Sequence, residues 1–287
     1  MAEALRLGAL KEGHPRPIVI RALNSSECEA FPLFTAQAVR ARNCFMICKI
    51  VDRNFAEWNR HIKRLLQPEH LIEEELESDR LLMNFWASAR AQIDHCRIYF
   101  REVHGREKQK VEFNGFIDRL CAQDWAFGFF QDLRDFALHH AITFPSFRKT
   151  VGDKSIVLAI ELQTADLKKF EHRWRYCRLP EHDEALDLIK LTSLYYMRLR
   201  DDFQTFFTKW FVPHLAPAHD FFARLANEVG GAAGPDYKMC LITKMTSEGG
   251  KHAFSAQFPP LDLLGDLGLR NSPKPQLGAT MPKFRES

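Results

Sequence analysis

Apolar residues recur along most of this chain in steps of three and four, the spacing that lines them up on one face of an α-helix. From Phe45 to Leu66 the positions Ile47, Ile50, Val51, Phe55, Trp58, Ile62 and Leu66 form such a stripe, and Pro68 stands where a helix would stop. The clearest stripe covers about 72–102. There Leu82, Phe85, Trp86, Ala89, Ile93, Cys96 and Phe100 share a face, while Glu75, Glu77 and Arg101 lie off it. Shorter helices are predicted over about 112–122 and 124–140, with Pro145 closing the region. Gly128 costs the second of these about 1 kcal/mol relative to Ala. Residues 164–176 read as helical. A long helix is predicted over about 181–211 on Leu188, Ile189, Tyr195, Leu199, Phe203, Phe206, Phe207 and Trp210, broken by Pro213 and Pro217. A last helix fits 218–229, with Gly230-Gly231 as its stop.

Strand signals are fewer. Ile18-Val19-Ile20 and Ile156-Val157-Leu158-Ala159-Ile160 are short runs rich in β-branched residues. The stretches 237–244 and 251–258 flank Glu248-Gly249-Gly250, the pattern of a hairpin with a Gly-containing turn. Residues 259–287 hold four prolines after Pro259 and no periodicity, which predicts a loose tail. The expected fold is mainly α: an antiparallel helical bundle with a few short peripheral strands. Its expected parts are an N-terminal segment 1–34, a helical domain 35–230, a hairpin segment 231–258 and the tail 259–287. No internal repeat is visible.

Composition adjusts this picture little. With 46% hydrophobic residues in 287, the chain can bury a large core, as one domain or two. Lys and Arg total 40 against 37 Asp and Glu. The near balance gives the whole chain no strong pull toward nucleic acid or anionic membrane, though a local basic site stays open. The run His104-Gly105-Arg106-Glu107-Lys108-Gln109-Lys110 reads as a solvated turn whose charge serves solubility. Seven scattered cysteines with no C-x-x-C spacing fit reduced thiols, and neither a disulfide frame nor a zinc site is expected. No secretory core and no run near the ~20 apolar residues of a membrane span is present, so a cytoplasmic protein without membrane contact is expected.

One constellation carries chemistry. The segment Gln131-Asp132-Leu133-Arg134-Asp135-Phe136-Ala137-Leu138-His139-His140 closes a helix with an Arg, acids and two histidines. Four residues separate Arg134 from His139. On an ideal helix that spacing sets them about 140° apart. They converge only if the helix frays, if the Arg reaches round, or if a second copy brings matching pairs together across a two-fold axis. Structural readings of the same residues stay open: His139 can stabilise the negative end of a helix dipole, and Arg134 between Asp132 and Asp135 can be a solvated ion cluster. Asp94-His95 with Arg90 is a further polar group on the preceding helix. His214 and His219 are expected at the surface. No Gly-rich phosphate loop and no Gly-x-Ser-x-Gly elbow occurs.

The segment from Arg80 through Asp94-His95, followed by Leu133–His140, resembles the HEPN superfamily (higher eukaryotes and prokaryotes nucleotide-binding), a helical domain whose signature is Arg, four to six residues, then His. The resemblance covers roughly 45–145 well and 155–230 loosely. Asp135 stands where the family usually has Asn, and His140 where a basic residue is more common. The resemblance implies metal-independent RNA cleavage without a cofactor, of toxin or defence type. Arg134 and His139 would be the catalytic pair, and Asp135, His140, Asp94 and His95 would support them. RNA, a second copy of the chain and a protein partner such as an antitoxin are the partners it implies. The alternative is a non-catalytic helical module that binds RNA or protein.

Overall fold

The computed structural model describes residues 5–14, 16–67, 75–139, 145–152, 156–169, 174–248 and 251–257. The protein is mainly α, with eight α-helices, a π-helical turn and seven strands among these residues. The helices are α1 (Ser25–Leu65), α2 (Glu75–His104), α3 (Arg106–Lys108), α4 (Gly115–Gln123), α5 (Trp125–His139), α6 (Thr164–Lys168), α7 (Leu188–Trp210) and α8 (Val212–Ala233), and the π turn is Gln109–Asn114. The strands are β1 (Arg6–Lys11), β2 (Ile18–Ala22), β3 (Ser146–Val151), β4 (Ile156–Gln163), β5 (Ala185–Asp187), β6 (Tyr237–Glu248) and β7 (Lys251–Gln257). The tail 259–287 lies outside the described residues. The chain divides into two compact units, Met1–Ala38 with Leu215–Ser287, and Val39–His214.

In the first unit β1, β2, β6 and β7 form one antiparallel sheet in the order β2-β1-β6-β7. Leu7 sits opposite Leu241 and Ala9 opposite Met239. These four pack with Ala218, Phe222, Leu225 and Val229, residues of α8 spaced by four, three and four. A helical stripe thus covers one face of a sheet that joins the two ends of the chain. α1 starts at Ser25, ten residues before the expected start of the helical domain at 35 and twenty before the apolar stripe that begins at Phe45. The reason is a capping box: Asn24 Oδ1 accepts from Glu27 N at 2.9 Å, and a Glu27 carboxylate oxygen accepts from Asn24 N at 3.1 Å. Pro32 lies inside the helix without ending it. α8 likewise begins before Pro213, in its first turn where a missing N–H costs nothing, and runs on through Pro217. Prolines 213 and 217 were expected as breaks; they are accommodated within a helix.

In the second unit the stripe Leu82, Phe85, Trp86, Ala89, Ile93, Cys96, Phe100 of α2 is buried throughout. On α1 the buried face is Cys44, Val51, Trp58, Ile62 and Leu65, whereas Ile50 and Leu66 of the expected stripe are exposed. Tyr195 of α7 meets Phe85 of α2 and Phe127 and Phe130 of α5. Tyr196 stacks on Phe55 of α1 at 3.7 Å. The predicted helix over 181–211 starts only at Leu188, because Asp187 caps it through Lys190 N at 3.0 Å and residues 185–187 instead pair with β4. The strand predicted at 156–160 is β4, central in an antiparallel sheet β3-β4-β5. Among the described residues of 164–176, helix is found in α6, and residues 106–110, within the run read as a solvated turn, are helical.

Candidate functional site

The candidate site is built on α5. Asp124 precedes the helix and caps it, accepting from Phe127 N at 2.9 Å, and its other oxygen accepts from Arg198 Nε at 3.0 Å. One face of α5 carries Trp125, Gly128, Phe129 and Asp132, and it docks the extended segment 174–178. Trp125 Nε1 donates to Arg178 O at 2.9 Å, Phe129 stacks on Trp174 at 5.4 Å, and Asp132 Oδ2 accepts from Tyr176 N and Cys177 N at 2.7 and 2.9 Å. Gly128 makes the approach possible: a Cβ there would lie 2.9 Å from Tyr176 O. Its glycine is thus a packing requirement as well as a propensity cost.

The opposite face carries Phe127 and Phe130, and beside it Gln131. Phe130 meets Trp86 at 5.4 Å. Gln131, buried, joins three helices: its Oε1 accepts from Arg90 Nη1 at 2.8 Å and its Nε2 donates to Tyr195 OH at 3.1 Å. Arg90 also donates to Asp94, which accepts a second bond from Arg97 at 2.9 Å. Burial of Tyr195 holds its phenol proton firmly on.

The helix continues through Arg134 and Asp135 to His139, while the description of its side chains reaches only to Leu133. Backbone geometry places position 134, seven residues after Phe127, on the Phe127–Phe130 face. Position 139, seven after Asp132, falls on the Gly128–Asp132 face. The two positions therefore belong to different faces of α5, and one helix does not bring them together. His140 lies outside the described residues. Of the supporting residues on α2, Asp94 joins the Arg90–Gln131 network, but His95 is exposed. Its carbonyl accepts from Cys44 Sγ at 3.4 Å.

Sequence reasoning missed one polar group with familiar catalytic atoms. His61 of α1 and Ser78 of α2, both buried, are joined at 2.6 Å through Nε2 and Oγ. Arg64 Nη2 lies 3.1 Å from His61 Nδ1. A guanidinium only donates, so Nδ1 is the acceptor and the ring proton sits on Nε2. His61 then donates to Ser78 and cannot take its proton, so this pair is not an activated serine. The i, i+3 spacing of His61 and Arg64 was the only available signal, and it does not reveal Ser78.

All seven cysteines are free. Burial pushes the Cys48, Cys121 and Cys177 thiols up to about 12, away from reactive thiolates. Among the described residues no group of three or more His, Cys, Asp or Glu could hold a metal ion, and no helix is long and apolar enough to cross a membrane. Comparison with family models, curated proteins and solved structures finds no match to this chain. The functional assignment rests on the residues themselves.

Proposed function

We propose that this chain is an RNA-directed helical protein of HEPN type, in which α1, α2, α5 and α7 form the antiparallel bundle and Arg134 and His139 handle a phosphodiester. The observation that carries the reading is their place on the last turns of one helix, α5, directly beyond a turn anchored by Gln131 and Asp132. A helix end suits a site that must hold a phosphate in register. Histidine as a residue type ionises near neutrality, so His139 takes the proton of the 2′-hydroxyl or returns one to the 5′ leaving oxygen. The 2′ oxygen bonds to phosphorus, the bond from phosphorus to the 5′ oxygen breaks, and a 2′,3′-cyclic phosphate remains. Arg134 holds the non-bridging oxygens as charge builds on them. Because the two positions are about 140° apart on one helix, a complete site takes two copies about a two-fold axis. On this reading a protein partner of antitoxin type restrains the activity.

That same angular separation favours one rival, a non-catalytic module that binds RNA or protein. Cleavage of a mixed RNA pool separates the two. Arg134→Ala and His139→Ala should each lower the rate on the order of 10²–10⁴-fold, and His140→Ala should matter less. Purified protein that leaves RNA intact, alone and with candidate partners, leaves the interaction module. Cleavage that survives both variants unchanged removes the assigned pair.

A further inference from the structure

Away from α5, the C-terminal ends of α2 and α7 build a cluster that the proposed site does not use. Trp210, the last residue of α7, is half-buried. It meets Phe100 and His104 in T-shaped contacts, at 5.4 and 5.5 Å between ring centres. His104 Nε2 donates to Trp210 O at 3.3 Å, so its Nδ1 is left as an acceptor. His214 stands 6.3 Å from His104, ring to ring. Two exposed ammonium groups from different elements meet the indole: Lys108 Nζ at 4.6 Å and Lys209 Nζ at 4.9 Å from its centre. Gly105, at φ 85° and ψ 165°, makes the turn that leads the chain from α2 into Lys108. Only glycine adopts that conformation readily.

What marks this cluster is that two ammonium groups from different elements meet one indole. Glu107, the acid of the run, is taken by Lys110 at 2.9 Å. Lys108 and Lys209 have no carboxylate partner among the described residues, and both lie over the Trp210 ring. Two lysines over one indole, with the His104 imidazole against it, match a ligand that offers phosphates and flat rings together.

We propose that Trp210, with Lys108 and Lys209, is a docking platform for single-stranded RNA. The choice of RNA over another nucleic acid rests on the functional reading given above. A base stacks on the indole as a lysine swings from the ring to the neighbouring phosphate. The exchange is favourable because a stacked base outweighs an exposed cation–π contact. His104 and His214 border the platform. The patch gives the chain a hold on its substrate that is separate from the atoms proposed to cut it.

The test is the binding of a labelled 2′-O-methyl RNA, which the proposed chemistry cannot cleave, measured by anisotropy on the full chain. Lys108→Glu with Lys209→Glu should weaken binding at least tenfold. Lys108→Ala with Lys209→Ala should lower the slope of log affinity against log salt by about 1.4, two phosphate contacts at about 0.7 each. Trp210→Leu should weaken binding on the order of tenfold, and Trp210→Phe, which keeps a ring, by less. The lysine variants alter exposed side chains, so they decide the matter even if Trp210→Leu fails to fold. Binding unchanged by the lysine variants overturns the platform, as does equally tight binding of inorganic polyphosphate, which has no bases to stack. Patch-dependent binding by a protein that cuts no RNA upholds the platform and removes the catalytic reading. Cleavage by a protein whose patch variants bind like wild type does the reverse.

Discussion

Arg90 of α2 donates to Gln131 of α5 across 2.8 Å, and the same carboxamide donates onward to the buried Tyr195 hydroxyl of α7. One amide side chain therefore satisfies polar groups on two other helices just before the turn that carries Arg134. Buried polar groups cost most when one partner is removed and the others remain.

Gln131→Leu should accordingly destabilise the protein by about 2–3 kcal/mol, since it strands the Tyr195 hydroxyl and one arm of Arg90. Urea unfolding followed by circular dichroism checks this. A loss below about 0.5 kcal/mol would mean that water replaces the amide.

Gly128→Ala is a helix-favouring change that should nonetheless destabilise, by about 1–3 kcal/mol. Its Cβ would press on the Tyr176 carbonyl at 2.9 Å and on Cys121 O at 3.2 Å, backbone atoms that cannot rotate away. Asp132→Ala should cost a similar amount by freeing the N–H groups of residues 176 and 177. A rise in melting temperature for Gly128→Ala would contradict the close packing of α5 on this segment.

Much of the helical framework is legible in the sequence, because a stripe such as Leu82–Phe100 needs only local periodicity to be seen. The start of α1 was legible in principle through Asn24-Ser25-Ser26-Glu27, but Pro32 masks it, since a proline's cost inside a helix depends on tertiary support that no local pattern records. The β1–β6 pairing joins residues more than two hundred apart, and neither strand alternates cleanly. For the site, Arg134 and His139 stand out by residue type. Arg90–Gln131–Tyr195 does not, because such a network exists only once three helices are packed. Lys108 and Trp210 likewise meet only in the folded chain.

Acid should weaken the first unit through Glu27. Arg21 binds this buried carboxylate with two bonds at 2.6 and 2.8 Å, and Arg224 adds one at 2.9 Å. Held chiefly by Arg21, the Glu27 carboxyl titrates at about 2 instead of its ordinary 4.5. A carboxyl depressed on folding stabilises above its unfolded pKa, and that contribution is lost as pH falls from about 4.5 toward 2. The gap corresponds to on the order of 3 kcal/mol. Glu27→Gln should therefore be clearly less stable than wild type at pH 7, with the difference shrinking toward pH 2. A difference independent of pH would show that the ion pair is not its source.

Ser78 should be inert toward serine-directed phosphonate probes, because His61 donates to it and Arg64 blocks the other ring nitrogen. Stoichiometric labelling of Ser78 in the native protein would overturn that tautomer.

RNA cleavage through the 2′-hydroxyl without a metal would leave distinctive product ends. Its most direct test incubates the purified chain, in excess chelator, with an end-labelled single-stranded RNA and with a DNA of the same sequence, and reads the product ends. The account predicts fragments ending in a 2′,3′-cyclic phosphate or its opened form from the RNA, and intact DNA. Cleavage of both strands alike, or RNA fragments ending in a 3′-hydroxyl, would contradict it.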